Sequence, residues 1–132
     1  MAIPSGGGTE VLRRGSIMTL TNSDQYFTFD GGHGGSTTAT TDVPDHHIIT
    51  IISILVCNVH ATNAGTFTLL WDKNDGTNGV ILNKTPVPGA GTFVWNDKFI
   101  LHPGDQLYCH QNAATNSTDI DVWYSYIDQD WS

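Results

Sequence analysis

The sequence predicts an all-β protein, an antiparallel β-sandwich of jelly-roll-like type. Three observations carry that prediction. Short β-branched and aromatic runs alternate with Gly, Pro, Asn and Asp clusters. No stretch of helical length shows 3.6-residue apolar periodicity. Of the 13 acidic residues only Glu10 is Glu, and Asp belongs to turns and caps rather than helix interiors.

The elements follow in order. "PSGGGT" is Gly-rich and has nothing to pack, so residues 1–14 are assigned to a flexible N-terminal arm. Residues 15–132 form a single sandwich domain, a length that suits one core. "EVLRRGSIMTLT" is the first extended segment, with Gly15 as a bend or bulge. "QYFTF" puts Tyr26 on one face and Phe27 and Phe29 on the other. Asp30 to Asp42 is a polar Gly/Thr loop without apolar spacing.

"HIITIISILVCN" is apolar on both faces. Ile48, Ile52, Ile54 and Val56 are assigned to one, and Ile49, Ile51, Leu55 and Cys57 to the other. Such a strand is covered twice, by a second sheet and by a neighbouring subunit. "GTFTLLWD", "VILNK", "TFVW", "KFIL", "QLYCH" and "IDVWYSYI" complete the strands, with "TPVPGAG" as a loop.

Composition narrows the function. Hydrophobic residues make up 39% of the chain, enough to expect a folded core. Five basic against 13 acidic residues give a net charge of −8. That disfavours nucleic acid and anionic membranes as partners, since both need clustered cations. The N-terminus lacks the apolar core of a secretory leader, and no apolar run is long enough to span a bilayer. Synthesis in a reducing cytoplasm with free thiols is the expectation.

Each cluster of chemistry-bearing residues has a plainer reading beside it. Cys57, His60, Cys109 and His110 are zinc-type ligands, but strand parity separates 109 from 110 and 57 from 60. Cys57 and Cys109 read better as small core residues. His46 and His47 diverge at a strand start. Asp119/Asp121 and Asp128/Asp130 share faces at i, i+2, and read as solvated edge charge rather than paired catalytic carboxylates. "DKNDGTNG", Asp72 to Gly79, fails the calcium-loop pattern and reads as a hairpin turn. Trp71, Trp95, Trp123 and Trp131 show no shared platform for a sugar. No nucleophile motif is present, and no catalytic residue, metal or cofactor is assigned.

Within "FILHPGDQLYCH", the segment "FILHPGDQLY" resembles a phrase of small virion-associated β-sandwich proteins of tailed bacteriophages. "TIISILVCN" is similar to their central strand, "IDVWYSYID" to their last, and "MAIPSGGGTEVLRR" to the amino termini of small marine-phage structural proteins. Together these segments cover about half the chain, in the family's order. The resemblance implies a non-enzymatic capsid decoration or cement protein on the virion surface. Its partner would be the major capsid protein, and it would itself be a homo-oligomer, a trimer being favoured. The competing implication is a tail- or head-fibre module that binds host glycans. On this reading Ile3, Pro4, Val11, Leu12, Arg13 and Arg14 form a small apolar and basic cluster for capsid or oligomer contact.

Overall fold

The computed structural model describes residues 8–29, 43–73, 77–111 and 120–131. Among them are nine strands and no helix: β1 (Thr9–Leu20), β2 (Gln25–Tyr26), β3 (His47–Asn58), β4 (Gly65–Asp72), β5 (Asn78–Val87), β6 (Thr92–Trp95), β7 (Phe99–Leu101), β8 (Gln106–Gln111) and β9 (Ile120–Asp130). One sheet runs β1-β9-β3-β6, with β7 also paired to β3; the other runs β2-β8-β4-β5. All pairings are antiparallel. The protein is an antiparallel β-sandwich.

The core lies between the two sheets. Ile17 and Leu20 of β1, Ile49, Ile51, Ile54 and Val56 of β3, and Ile120, Val122, Tyr124 and Tyr126 of β9 face inward. Phe27, Phe67, Leu69, Leu107 and Cys109 oppose them. Phe27 meets the Tyr124 ring at 4.5 Å and Phe29 meets Tyr126 edge-on at 5.3 Å, separations at which aromatic rings attract. The predicted split of Tyr26 from Phe27 and Phe29 holds. Tyr26 instead packs beside Tyr108, its partner in the β2–β8 ladder, at 5.1 Å.

Several local expectations are corrected. The strand starts at Thr9, so residues 9–14 belong to the sheet rather than to an arm. Ladder bonds from Thr9↔Asp130 to Arg14↔Ser125 hold them. Gly15 is not the bulge; the irregularity in β1 falls between Ile17 and Leu20. β5 continues to Val87, taking in Thr85 and Pro86 from the expected loop. Pro86 is tolerated because β5 is an edge strand, where its missing N–H breaks no ladder.

The two faces of β3 also differ from simple alternation. Its register with β9 slips between Ile51 and Ser53. One inserted residue inverts parity. Ile49, Ile51, Ile54 and Val56 therefore all face the core, and Leu55 and Cys57 face outward.

The "HPGD" turn is architectural. Asp105 N donates to His102 O at 3.0 Å across Pro103 and Gly104, whose φ is 84°. Pro followed by a positive-φ Gly is the type II pattern. The buried Asp105 carboxylate accepts from His102 N (2.9 Å) and from Trp71 Nε1 (3.2 Å), tying the turn to β4.

Candidate functional site

Among the described residues, nine large hydrophobic side chains are exposed, and seven lie on strands of the β1-β9-β3-β6/β7 sheet. The register explains their grouping. Across the outer face run three rows of neighbours. The first is Leu12, Ile127, Thr50 and Ile100; the second is Arg14, Ser125 and Ser53; the third is Ser16, Trp123, Leu55 and Val94. Leu12 is 71% exposed and Trp123 41%, so these side chains stand in solvent. The serine row is recessed between them. Shallow grooves follow it, one of about 180 Å³ lined by Arg14, Gly15, Ser53, Leu55, Trp123 and Ser125. A second adjoins it beside Leu12, Ile52 and Ser125.

These three rows hold no carboxylate. Glu10 and Asp121 occupy the flanking rows, one at each end. In a chain of charge −8, an acid-free apolar sheet face is the surface whose contact with another apolar surface costs least electrostatically.

The residues assigned to capsid contact separate. Ile3 and Pro4 lie outside the described residues. Val11, Leu12, Arg13 and Arg14 are on β1, where alternation divides them. Leu12 and Arg14 belong to the outer rows. Arg13 turns toward the sandwich interior, its Nε 3.5 Å from Asp128 Oδ2.

Asp128 itself departs from expectation. It is buried, not a solvated edge charge. His47 Nδ1 donates to its Oδ1 at 2.6 Å, and His47 Nε2 lies 3.6 Å from Asp130 Oδ2. Three strands thus converge on one carboxylate. A buried acid needs such partners, because an unpaired charge there is costly. His46 precedes β3, in a turn at φ 66°, and its ring meets Trp131 edge-on at 6.3 Å.

The zinc-type ligands do not converge. Cys57 faces outward on one sheet, while Cys109 is fully buried in the other. Both are free thiols. His60 stays in its own turn, its Nδ1 accepting from Asn63 N at 2.9 Å. His110 Nδ1 donates to Asp24 Oδ1 at 2.9 Å. Among the described residues, no three His, Cys, Asp or Glu side chains gather as a metal ion would need. In the expected hairpin turn, Asp72 to Gly79, Lys73 N donates to Thr77 O at 3.0 Å; residues 74–76 lie outside the described set, as do Asp119 and residues 30–42. The tryptophans also disperse. Trp71 and Trp95 pack on the core, Trp123 stands on the outer face, and Trp131 lies beside His46.

Burial pushes the Cys109 thiol well above its usual range, with the Asp24 charge adding to the effect. One thiol, Cys57, is therefore expected to react promptly with a disulfide reagent in native protein. Cys109 should react only after denaturant is added. Prompt modification of both thiols would contradict the burial.

What these features define is an acidic antiparallel sandwich with one apolar, acid-free outer face. No family model matches the chain, and no curated protein shows significant similarity to it. Among the described residues, no helix is long and apolar enough to cross a membrane.

Proposed function

We propose that this chain is a non-enzymatic structural protein of a tailed-phage virion, a capsid decoration or cement protein. The observation that carries the reading is the apolar outer face on a strongly acidic sandwich. It equips the fold for assembly, and Asp105, His60, His110 and Asp128 are engaged in turns, core pairs and loop ties. The alternation of strands between the two sheets gives further support. The order β1-β9-β3-β6/β7 against β2-β8-β4-β5 supports reading the sandwich as jelly-roll-like, an architecture used by viral capsid domains and by lectins alike.

On this reading the chain is made in the host cytoplasm and adds to the outer head surface, with the major capsid protein as its partner. Residues ahead of β1, including Ile3 and Pro4, reach the capsid together with Leu12 and Arg14 at the sheet edge. The chain itself is a homo-oligomer, three copies being what the sequence resemblance implies. The fibre-module alternative draws less support, because Trp71 and Trp95 are occupied in the core.

The test is binding of the purified chain to phage heads that lack it, followed by particle reconstruction. Binding across the capsid lattice, lost when residues 1–7 are deleted, is expected. That deletion leaves β1 whole, whereas removing residues 1–14 would take half of it. Failure of the full chain to bind, or density confined to the tail, would overturn the capsid assignment. Undiminished binding by the deletion variant would overturn the role of the arm.

A further inference from the structure

We infer that the outer edge of β1 pairs antiparallel with β1 of a second copy, about a two-fold axis at Leu12, so that Glu10 of each copy faces Arg14 of the other. This deepens the homo-oligomer part of the proposed function and rests on it alone, not on the capsid.

The backbone is the first argument. A strand at a sheet edge presents a row of N–H and C=O groups that another strand can pair. Among the described residues β1 pairs with β9 alone, in unbroken register from Thr9↔Asp130 to Ile17↔Val122. The other edges are blunted. β2, β6 and β7 are two, four and three residues long. β5 is longer, but it carries Pro86, a positive φ at Lys84 and two register shifts against β4. Short strands, prolines and bulges are devices that keep sheet edges apart. Between Thr9 and Ile17, β1 has none of them. Glu10, Val11, Leu12 and Arg14 are exposed there, Leu12 at 71%.

Charge is the second argument, and it selects the register. Directly opposite residues of an antiparallel pair place their Cβ atoms about 4.5–5.5 Å apart, where opposite charges attract and like charges repel. With the outer faces of both copies on one side, the axis lies at a single residue, which meets its own copy. An axis at Glu10 sets carboxylate against carboxylate. At Arg13 or Arg14 it sets arginine against arginine, and at Val11 it sets Glu10 against Leu12. At Leu12 it sets Glu10 against Arg14 twice, with Leu12 on Leu12 between them.

The side chains are placed for this register. Glu10, Leu12 and Arg14 share the outer face. Gln129 Nε2 donates to Glu10 Oε1 at 3.3 Å, steadying the carboxylate on that face. Arg13 is already held by Asp128, whereas among the described residues no carboxylate pairs with the Arg14 guanidinium. Two copies of a chain at −8 repel. β1 carries two of the chain's five basic residues and a single acid, so this edge opposes approach less than the chain as a whole. Edge pairing leaves the outer sheet face itself open for the capsid.

Sedimentation equilibrium on the isolated full chain, over a range of concentrations, tests the inference. The expected species has twice the 14.3 kDa chain mass and dissociates on dilution. Arg14→Glu sets carboxylate against carboxylate across the axis, and Glu10→Arg sets guanidinium against guanidinium. Each should weaken the pair by about tenfold or more. An equimolar mixture of the two variants should pair with near wild-type affinity, because one copy of each matches both charges. Circular dichroism and urea unfolding of the variants should match wild type, since both side chains are exposed. A wild-type monomer at millimolar concentration would overturn the inference. So would a dimer that the single substitutions leave unchanged, or one that the mixture fails to restore. A trimer would overturn the two-fold edge pairing while supporting the family-based oligomer, and capsid binding is read in a separate assay.

Discussion

Replacing Asn58 with leucine is expected to cost about 3 kcal/mol of folding stability, the expense of leaving several buried polar groups unpaired. Asn58 ends β3 and is 1% exposed. Its Nδ2 donates to Asn63 O at 2.8 Å and to Val87 O at 3.1 Å, and its Oδ1 accepts from His60 N at 3.0 Å. One side chain thus joins the turn after β3 to the end of β5. Leucine keeps the same branching and number of heavy atoms but offers no donor or acceptor, so the lost polarity is the main change. Asn58→Asp keeps the acceptor for His60 N, but aims a carboxylate at two carbonyl oxygens, and should be at least as damaging. Urea denaturation checks both, through a lower midpoint at unchanged slope. A midpoint within error of wild type would show that water replaces the side chain's bonds.

Gly15→Ala should destabilise by about 2–3 kcal/mol, as overpacking of a filled core does. The reason is space, not backbone freedom. A Cβ at position 15 would fall 2.3 Å from Cζ of Tyr124 and 2.4 Å from its hydroxyl. Tyr124 cannot swing away cheaply. It is 2% exposed, its hydroxyl donates to Thr28 O at 2.8 Å, and it accepts from Thr28 N at 3.0 Å. Moving the ring breaks both bonds and disturbs the Phe27 contact. Tyr124→Leu alone should also destabilise. Combined with Gly15→Ala, it should cost less than the two single losses added, by about 1 kcal/mol or more, because neighbouring residues couple. Strict additivity would place the Gly15 effect somewhere other than the Tyr124 ring.

Much of this fold was legible in the sequence. β9 alternates cleanly, and Ile120, Val122, Tyr124 and Tyr126 all face the core. The Pro-Gly-Asp turn announced itself by residue type. What was hidden depended on partners far along the chain. Gly15 reads as a bend until Tyr124 is placed against it. Asp128 reads as solvated charge until Arg13 and His47 arrive from other strands. The parity of β3 could not be read, because its slip at Ile52 inserts one aliphatic residue among others and leaves no compositional mark. That slip decided which face Leu55 and Cys57 occupy. The outer face, assembled from four strands by register, was foreseeable only as the two-sided apolarity of β3.

The position of β9 has a consequence in time. It lies between β1 and β3, and both of those strands are long. Neither can complete its ladder until residues 120–130 are available, although β1 precedes them by almost the whole sequence. Pairing ends so distant requires large loops to close before any contact repays them. Folding should therefore be slow for the chain's size and deferred until synthesis has passed β9. Until then the aliphatic face of β3 waits without its neighbour, and the nascent chain carries its greatest tendency to aggregate.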